Sequence, residues 1–144
     1  MVKKQKLKEI GFQLKGIELL ESHLNTPLAK IDANTVFKFN INLEHKIDPG
    51  KNIILVLTTV DILIGEEREI VGSVKTNIIY EIENLAEYNS TKGFNLPTDF
   101  ITSINSITLS TCRGIMYSQF KGTILHNTFL PIVDPKSFTQ NPQI

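Results

Sequence analysis

A segment of strictly alternating residues, FKFNINLEHKI from Phe37 to Ile47, constrains the fold more than any other part of the chain. Its apolar members include Phe37, Phe39, Ile41 and Leu43, and a polar side chain separates each from the next. A period of two is typical of a β-strand with one dry and one wet face, because successive side chains point to opposite sides. We therefore expect a sheet that is covered on one side.

Three further segments have the signature of strands. Short turns join the second strand to the third and the third strand to the fourth. Ile10 to Leu24 alternates but switches parity near Gly16, which predicts a β-bulge there. Ile53 to Ile64 is apolar on both parities, as in the middle strand of a sheet. Glu69 to Asn84 predicts a fourth strand. The connections DPGKN and GEER contain turn-forming residues, so we expect mostly antiparallel neighbours.

One long helix is predicted from Thr98 to Lys121, after the start signal Pro97. Its apolar residues form two stripes, which predicts two packing partners, the sheet and a second subunit. Arg113 is interpreted either as one half of an ion pair, in the core or at a subunit interface, or as a surface arginine. The predicted fold class is α+β, a four-stranded antiparallel sheet with one long helix packed on one face. The residues assigned to the subunit interface are Leu109, Cys112, Arg113, Met116 and Phe120.

Composition and charge exclude several classes of protein. Lys and Arg total 15, as do Asp and Glu, so the net charge is zero and nucleic acid is not an expected partner. No apolar run approaches the ~20 residues of a membrane helix, so membrane insertion is not expected. The single cysteine excludes a disulfide framework and fits a cytoplasmic location. We expect one domain over residues 1–144, with a flexible basic tail at 1–8 and a short irregular tail at 132–144.

The residue types that carry catalysis or bind metals are scattered along the chain. His23, His45 and His126 lie far apart, and none has a partner at the spacing of a metal motif. Cys112 falls within the helix pattern, where a small buried side chain is the default interpretation, and a Cys–His pair created by the fold stays open. No glycine-rich phosphate loop is present. We expect no enzymatic activity, no metal site and no cofactor.

The two middle strands contain more apolar residues than one helix can cover. Apolar side chains occur at both odd and even positions of these strands, and so on both faces of the sheet. One helix covers only a single face. A partner subunit or a bound polypeptide is therefore expected on the other face, and strand edges offer backbone groups for strand addition. This expectation rests on Ile54, Val56, Val60 and Ile62, with Val71 and Ile79.

Three segments, in this order, carry a family resemblance: FQLKGIELLESHLNTP (Phe12 to Pro27), GEEREIVGSVKTNIIYEI (Gly65 to Ile82) and KGTILHNTFLP (Lys121 to Pro131). They are similar to the first strand, the third-to-fourth strand hairpin and the helix exit of SecB, the bacterial export chaperone family. Together with the predicted order of strands and helix, the resemblance covers nearly the whole chain.

The resemblance implies a dimer of dimers, a homotetramer that holds unfolded preproteins for export without ATP. In the family the client lies in long apolar grooves near the loop after strand one and beside the C-terminal helix. Apolar contact, at roughly 25 cal/mol per Å², has no preferred direction and so tolerates many client sequences. Carried onto this sequence, the groove residues are Leu24, Leu28, Ile31, Val36 and Phe37, with Leu125, Phe129 and Phe138.

The family also docks its translocase motor, SecA, through acidic and apolar positions on strands one and four. These positions fall on Glu21, Asn25, Val71 and Ser73, of which only Glu21 is acidic. SecB proteins are usually acidic overall, whereas this chain is neutral. Handover to SecA is therefore in doubt. Divergent members serve as dedicated antitoxin chaperones in toxin–antitoxin systems, which is the second hypothesis; a small-ligand-binding or enzymatic α+β domain is the third.

Overall fold

The computed structural model describes residues 9–28, 30–90 and 93–138. The predicted tail at 1–8 and residues 139–144 of the predicted C-terminal tail lie outside the described residues. The elements, in chain order, are β1 (Phe12–Leu24), β2 (Phe37–Asp48), β3 (Ile53–Ile64), β4 (Glu69–Ile82), a 3-10 turn (Leu85–Tyr88), β5 (Asn89–Ser90), β6 (Gly93–Phe94), α1 (Thr98–Phe120) and a second 3-10 turn (Pro135–Ser137).

The four long strands form one antiparallel sheet in the order β1–β4–β3–β2. Tight turns join β2 to β3 and β3 to β4, with left-handed backbone at Asn52, Gly65 and Arg68. Gly65 has φ 74°, which a residue without a Cβ adopts at little steric cost. β1 crosses to the far edge and pairs with β4 instead of with β2. The predicted α+β class and the antiparallel sheet are confirmed, and β1 and β2 are the two edge strands.

The core lies between the sheet and a layer formed by α1 and the segment after it. One half packs Phe100, Ile101 and Ile104 of α1 against the Ile53 end of β3 and the Ile82 end of β4. The other half packs the C-terminal part of α1, with Leu125 and Leu130, against the opposite ends of those strands. α1 ends one residue before the predicted Lys121, whose backbone is extended.

Two bulges interrupt the pairing of β1 with β4. The register shifts between Leu14 and Gly16 and again between Leu19 and Glu21. The first is the bulge that the parity switch predicts; the second, at Leu20 between Leu19 and Glu21, was not predicted. As a result, five apolar residues of β1 lie opposite residues of β4 that face the helix side: Phe12, Leu14, Ile17, Leu19 and Leu24.

The predicted second apolar face is corrected by the structure. Five of the six residues that supported it, all except Ile79, are fully buried in the core beneath α1 and the segment after it. The open face is largely polar: Ser73 donates a hydrogen bond to Asp61 at 2.8 Å, and Asn77 donates one to Glu18 at 3.3 Å. No partner is needed to bury the residues in question, which are Ile54, Val56, Val60, Ile62 and Val71.

Candidate functional site

A cleft of about 890 Å³ lies where the loop between β1 and β2 faces the β3–β4 turn. Its lining is more apolar than polar, and its charged members are two lysines, one on the loop and one on β2, and three glutamates at the β3–β4 turn and the start of β4. Clefts that bind ligands usually have volumes of about 300–1,000 Å³ and combine an apolar lining with a few polar groups. The lining residues are Leu28, Lys30, Thr35, Val36, Lys38, Ile64, Gly65, Glu66, Glu67 and Glu69.

Hydrogen bonds tie the loop side of this cleft to β4. The Asn25 side chain donates to the carbonyl of Ile70 at 3.1 Å, and the Leu28 amide donates to Glu69 Oε1 at 2.9 Å. Further along, the Asp32 carboxylate accepts the Asn34 amide at 2.8 Å, which closes a turn. These bonds hold the backbone of the loop while leaving its apolar side chains in water.

Two apolar side chains of the cleft have almost no contact with the rest of the chain. Leu28 is 96% exposed and Val36 is 70% exposed. Both were predicted to line a groove, and the structure brings them together in one cleft. Ile31 and Phe37, also predicted, lie partly buried against the core. Exposed apolar side chains around a concave surface are typical of a site for another molecule.

The remaining four predicted groove residues lie elsewhere. Leu24 is half exposed at the end of β1. Phe129 stacks on Tyr117, with ring centroids 6.0 Å apart and planes at 14°. Phe138 packs, partly buried, against the core. Leu125 is fully buried, so its assignment to a groove is wrong: it is a core residue.

The helix side of β1 forms a row of apolar side chains that the sequence did not identify as a surface. α1 contacts this row mainly at its start, where Phe100 meets Phe12 with ring centroids 5.5 Å apart. Within the described chain, β1 pairs only with β4, so its outer edge has free backbone groups. The row is between 37 and 48% exposed and comprises Phe12, Leu14, Ile17, Leu19 and Leu24, with Leu20 beside it in the second bulge.

The assignment of one helix stripe to a subunit interface is corrected. Leu109, Cys112, Met116 and Phe120 are each no more than 3% exposed within a single chain. They have no surface left to bury against a second subunit, because the sheet and the segment after α1 already cover them.

Arg113, the fifth residue of that set, has a role that the sequence did not indicate. Its Nε donates to the carbonyl of Leu130 at 2.8 Å, and its Nη2 donates to the carbonyl of Pro131 at 3.1 Å. The guanidinium therefore attaches the segment after the helix through backbone oxygens, and neither predicted interpretation, an ion pair or a surface arginine, describes it.

The four positions assigned to SecA contact do not form one surface. Val71 is fully buried, because it is the extra residue on β4 where the register with β3 shifts. Glu21 and Asn25 are exposed on β1 and just after it. Ser73 is partly buried and donates its hydroxyl to Asp61. Val71 is thus unable to contact a partner. Of the other three positions, only Glu21 is acidic.

The groups able to carry chemistry are isolated or buried. Burial raises the pKa of the Cys112 thiol to about 11, which keeps it protonated near neutral pH. Burial also lowers the pKa of His45, whose Nε2 lies 2.7 Å from Oδ1 of Asn105. In the described ranges, no three His, Cys, Asp or Glu residues are grouped so that they could hold a metal ion. Nor does the described part contain a helix long and apolar enough to cross a membrane.

Comparisons with known proteins give a likeness in structure only. No protein-family model matches the chain, and no curated protein matches it. Among solved structures it is similar to a SecB-like chaperone from Mycobacterium tuberculosis in complex with a ChAD peptide from the HigA1 antitoxin. That match has 15% identity and a TM-score of 0.51, and it covers 85% of this chain and 90% of the other.

A second solved structure, a Streptococcus agalactiae protein of unknown function, matches with 12% identity and a TM-score of 0.46 over 88% of this chain and 99% of that one. The likeness to the mycobacterial protein shows that this chain has a SecB-like fold. The α+β architecture that the resemblance implied is thereby supported.

Proposed function

We propose that this protein is a holding chaperone, which binds extended apolar segments of unfolded polypeptides without ATP, cofactor or catalysis. The observation that carries the proposal is the exposure of Leu28 and Val36 in a mixed apolar and charged cleft of a SecB-like fold. Exposing apolar side chains to water is unfavourable by about 25 cal/mol per Å², and an apolar client segment would remove that cost. The mycobacterial protein of the same fold was solved with a peptide, which supports a polypeptide as the client.

Two kinds of client fit this proposal. A general role in export would use many unfolded preproteins and would need contact with a motor such as SecA. A dedicated role would use one antitoxin, and two observations favour it as the second candidate. The positions assigned to SecA contact include the buried Val71, and the similar mycobacterial chaperone binds an antitoxin peptide. Either client is met in the cytoplasm, which is the location we propose.

We further propose that the protein is a homo-oligomer whose subunits meet along β1. The apolar row of β1 extends to both sides of Glu18, with Phe12, Leu14 and Ile17 before it and Leu19 and Leu24 after it. Two copies of β1 paired antiparallel around a two-fold axis at Glu18 would place apolar residues opposite one another on the helix side. On the other face Lys15, which also pairs with Glu81 of its own chain, would lie opposite the partner's Glu21, whereas the two Glu18 carboxylates would face each other and repel. Two apolar pairs would form, Phe12 with Leu24 and Ile17 with Leu19, and Leu14 would lie opposite the polar Ser22.

The test is light scattering of the purified protein, with and without an unfolded polypeptide and in the absence of ATP. Reduced, carboxymethylated pancreatic trypsin inhibitor is a suitable probe, because it stays unfolded and contains no tryptophan. We expect a dimer or a tetramer that forms a stable complex with the probe. A monomer that does not bind the probe would contradict the proposal. Suppression of aggregation of several unrelated proteins would favour the general role over the dedicated one.

A further inference from the structure

The segment after α1 turns back and lies beside the helix. Residues 130–138, here called the return segment, add no strand to the sheet. Its backbone forms local hydrogen bonds, from the Ser137 amide to the Asp134 carbonyl and from the Phe138 amide to the Pro135 carbonyl. Helix side chains hold it instead: Arg113 binds the carbonyls of Leu130 and Pro131, and Asn105 Nδ2 donates to the carbonyl of Phe138 at 3.0 Å.

Apolar side chains of the return segment pack against the core cluster beneath the C-terminal part of α1. Leu130 is buried, and Val133 and Phe138 are partly buried in the same cluster. Ile132, between these contacts, is 95% exposed. The segment thus inserts spaced apolar side chains and offers its carbonyls to fixed donors, as an extended peptide does in a groove that tolerates many sequences. Ile31, Phe37, Phe39 and Ile41 are partly buried against the same cluster.

This covered surface is continuous with the candidate cleft. Ile64 is buried in the cluster against which the return segment packs, and it also lines the cleft. A client segment long enough to leave the cleft along β2 would therefore meet the return segment. Both surfaces are apolar, so one client could occupy both only by displacing what already lies there.

The side chain of Asn105 can form the same hydrogen bond with the return segment or with a client. Its Oδ1 accepts a hydrogen bond from His45 Nε2 at 2.7 Å, and both side chains are buried. This bond fixes the orientation of the amide and directs its NH2 group towards the carbonyl of Phe138. A backbone carbonyl of any sequence would satisfy the same donor, whereas leaving a buried donor without a partner is costly. The donor therefore favours an occupant without selecting its side chains.

We propose that residues 131–138 are a built-in occupant of the distal part of the client groove, and that an extended apolar client displaces them, replacing Phe138 in its contacts and accepting the Asn105 hydrogen bond. This inference rests on the proposed function. Leu130, held by Arg113 and buried, stays in place as the fixed end. The client binds only molecules in which the segment is displaced. Its apparent dissociation constant is therefore the intrinsic value divided by the displaced fraction.

One measurement follows the segment directly. The chain contains no tryptophan, so Phe138→Trp introduces a single reporter at the end of the return segment. Excited at 295 nm, this variant should emit at short wavelength when free and shift to longer wavelength as the unfolded trypsin inhibitor, which has no tryptophan, saturates it. An emission that stays unshifted at saturation would overturn the inference.

A second measurement compares affinities. Val133→Ser combined with Phe138→Ser weakens the apolar contacts of the segment, so the labelled trypsin inhibitor should bind about tenfold more tightly. Ile132→Ser is the matched control, because that side chain lies in the same segment but is exposed, and its affinity should equal that of the wild type. Equal or weaker binding by the double variant, with binding by the wild type intact, would overturn the inference alone. Failure of every variant and of the wild type to bind would overturn the proposed function, and the inference with it.

Discussion

His45 on β2 and Asn105 on α1 form a buried hydrogen bond, with Nε2 and Oδ1 2.7 Å apart. It links the edge strand β2 to the helix inside the core, where Thr58, Thr76 and Thr108 are further buried polar residues. The Asn105 amide donates to Phe138, so its oxygen faces His45 and accepts from the Nε2 hydrogen. Burial lowers the pKa of this imidazole, an effect that the bond to Asn105 only partly offsets, so the pair is sensitive to acid.

The first prediction concerns pH. Burial lowers the pKa of folded His45 below its ordinary 6.5, so below that pH the unfolded chain binds a proton that the folded chain does not. The free energy of unfolding should fall as pH drops below 6.5, by at most about 1.4 kcal/mol per pH unit until the folded pKa is reached. Urea unfolding at pH 7.5 and 5.5 measures this. His45→Gln should lose less stability over that interval; equal losses in both proteins would contradict the prediction.

The second prediction concerns Gly72, which lies under the side chains that follow the helix. A Cβ at this position would lie 2.6 Å from Leu125 Cδ1 and 3.4 Å from Phe120 Cζ. Gly72→Ala should therefore destabilise the protein by about 1–3 kcal/mol through overpacking. The matched control is Gly114→Ala: nothing lies within 4 Å of its Cβ position, and alanine there should stabilise α1 by up to about 1 kcal/mol. Chemical denaturation of both variants measures the difference, and a Gly72→Ala protein as stable as the wild type would count against this packing.

The sequence predicts the elements well because their signals are local. β3 begins and ends at the predicted Ile53 and Ile64, and α1 begins at the predicted Thr98. β4 ends at Ile82, before the predicted Asn84, whose left-handed backbone interrupts the strand. Alternation, turn residues and capping depend on neighbours in sequence, so they can be recognised without a fold.

The candidate site was predicted less completely because exposure depends on distant contacts. Leu28 and Leu125 are both leucines that the family resemblance assigned to the groove, yet one is exposed in the cleft and the other is buried. Nothing local distinguishes them: Leu125 is buried because the chain turns back over Gly72 after the helix. The apolar row of β1 was missed for a related reason, since only the position of α1 over the sheet decides which strand stays uncovered.

The third prediction concerns the cleft. Leu28→Ser combined with Val36→Ser should weaken binding of the unfolded trypsin inhibitor at least about tenfold, because burying such a side chain contributes about 1.5–3 kcal/mol. Stability should hardly change, since both side chains are largely exposed. Fluorescence anisotropy of the labelled probe gives the affinity, and urea unfolding gives the stability. Thr35→Ala, in the same cleft, removes little apolar area and serves as the control. An unchanged affinity in the double variant would remove the cleft from the client site.

The fourth prediction concerns Cys112. Its thiol is buried and its pKa is raised to about 11, so the thiolate that reacts with alkylating agents is scarce at pH 7 to 8. We expect iodoacetamide to modify the native protein many times more slowly than the urea-unfolded protein. Mass spectrometry over a time course measures this. Fast modification of the native protein would indicate an accessible, activated thiol and would favour the enzymatic hypothesis instead.

The fifth prediction concerns subunit contact along β1. Around a two-fold axis at Glu18, the two copies of this residue lie directly opposite each other, within the few ångströms that a disulfide requires. In a Cys112→Ser background, which leaves no native cysteine, Glu18→Cys should form a covalent dimer under mild oxidation. Gln13→Cys in the same background is the control, because that residue would face the partner's His23 and lie far from its own copy. Non-reducing electrophoresis measures the product. Cross-linking of both variants at similar rates, or of neither, would exclude this register, whereas a dimer formed only by Glu18→Cys would establish it.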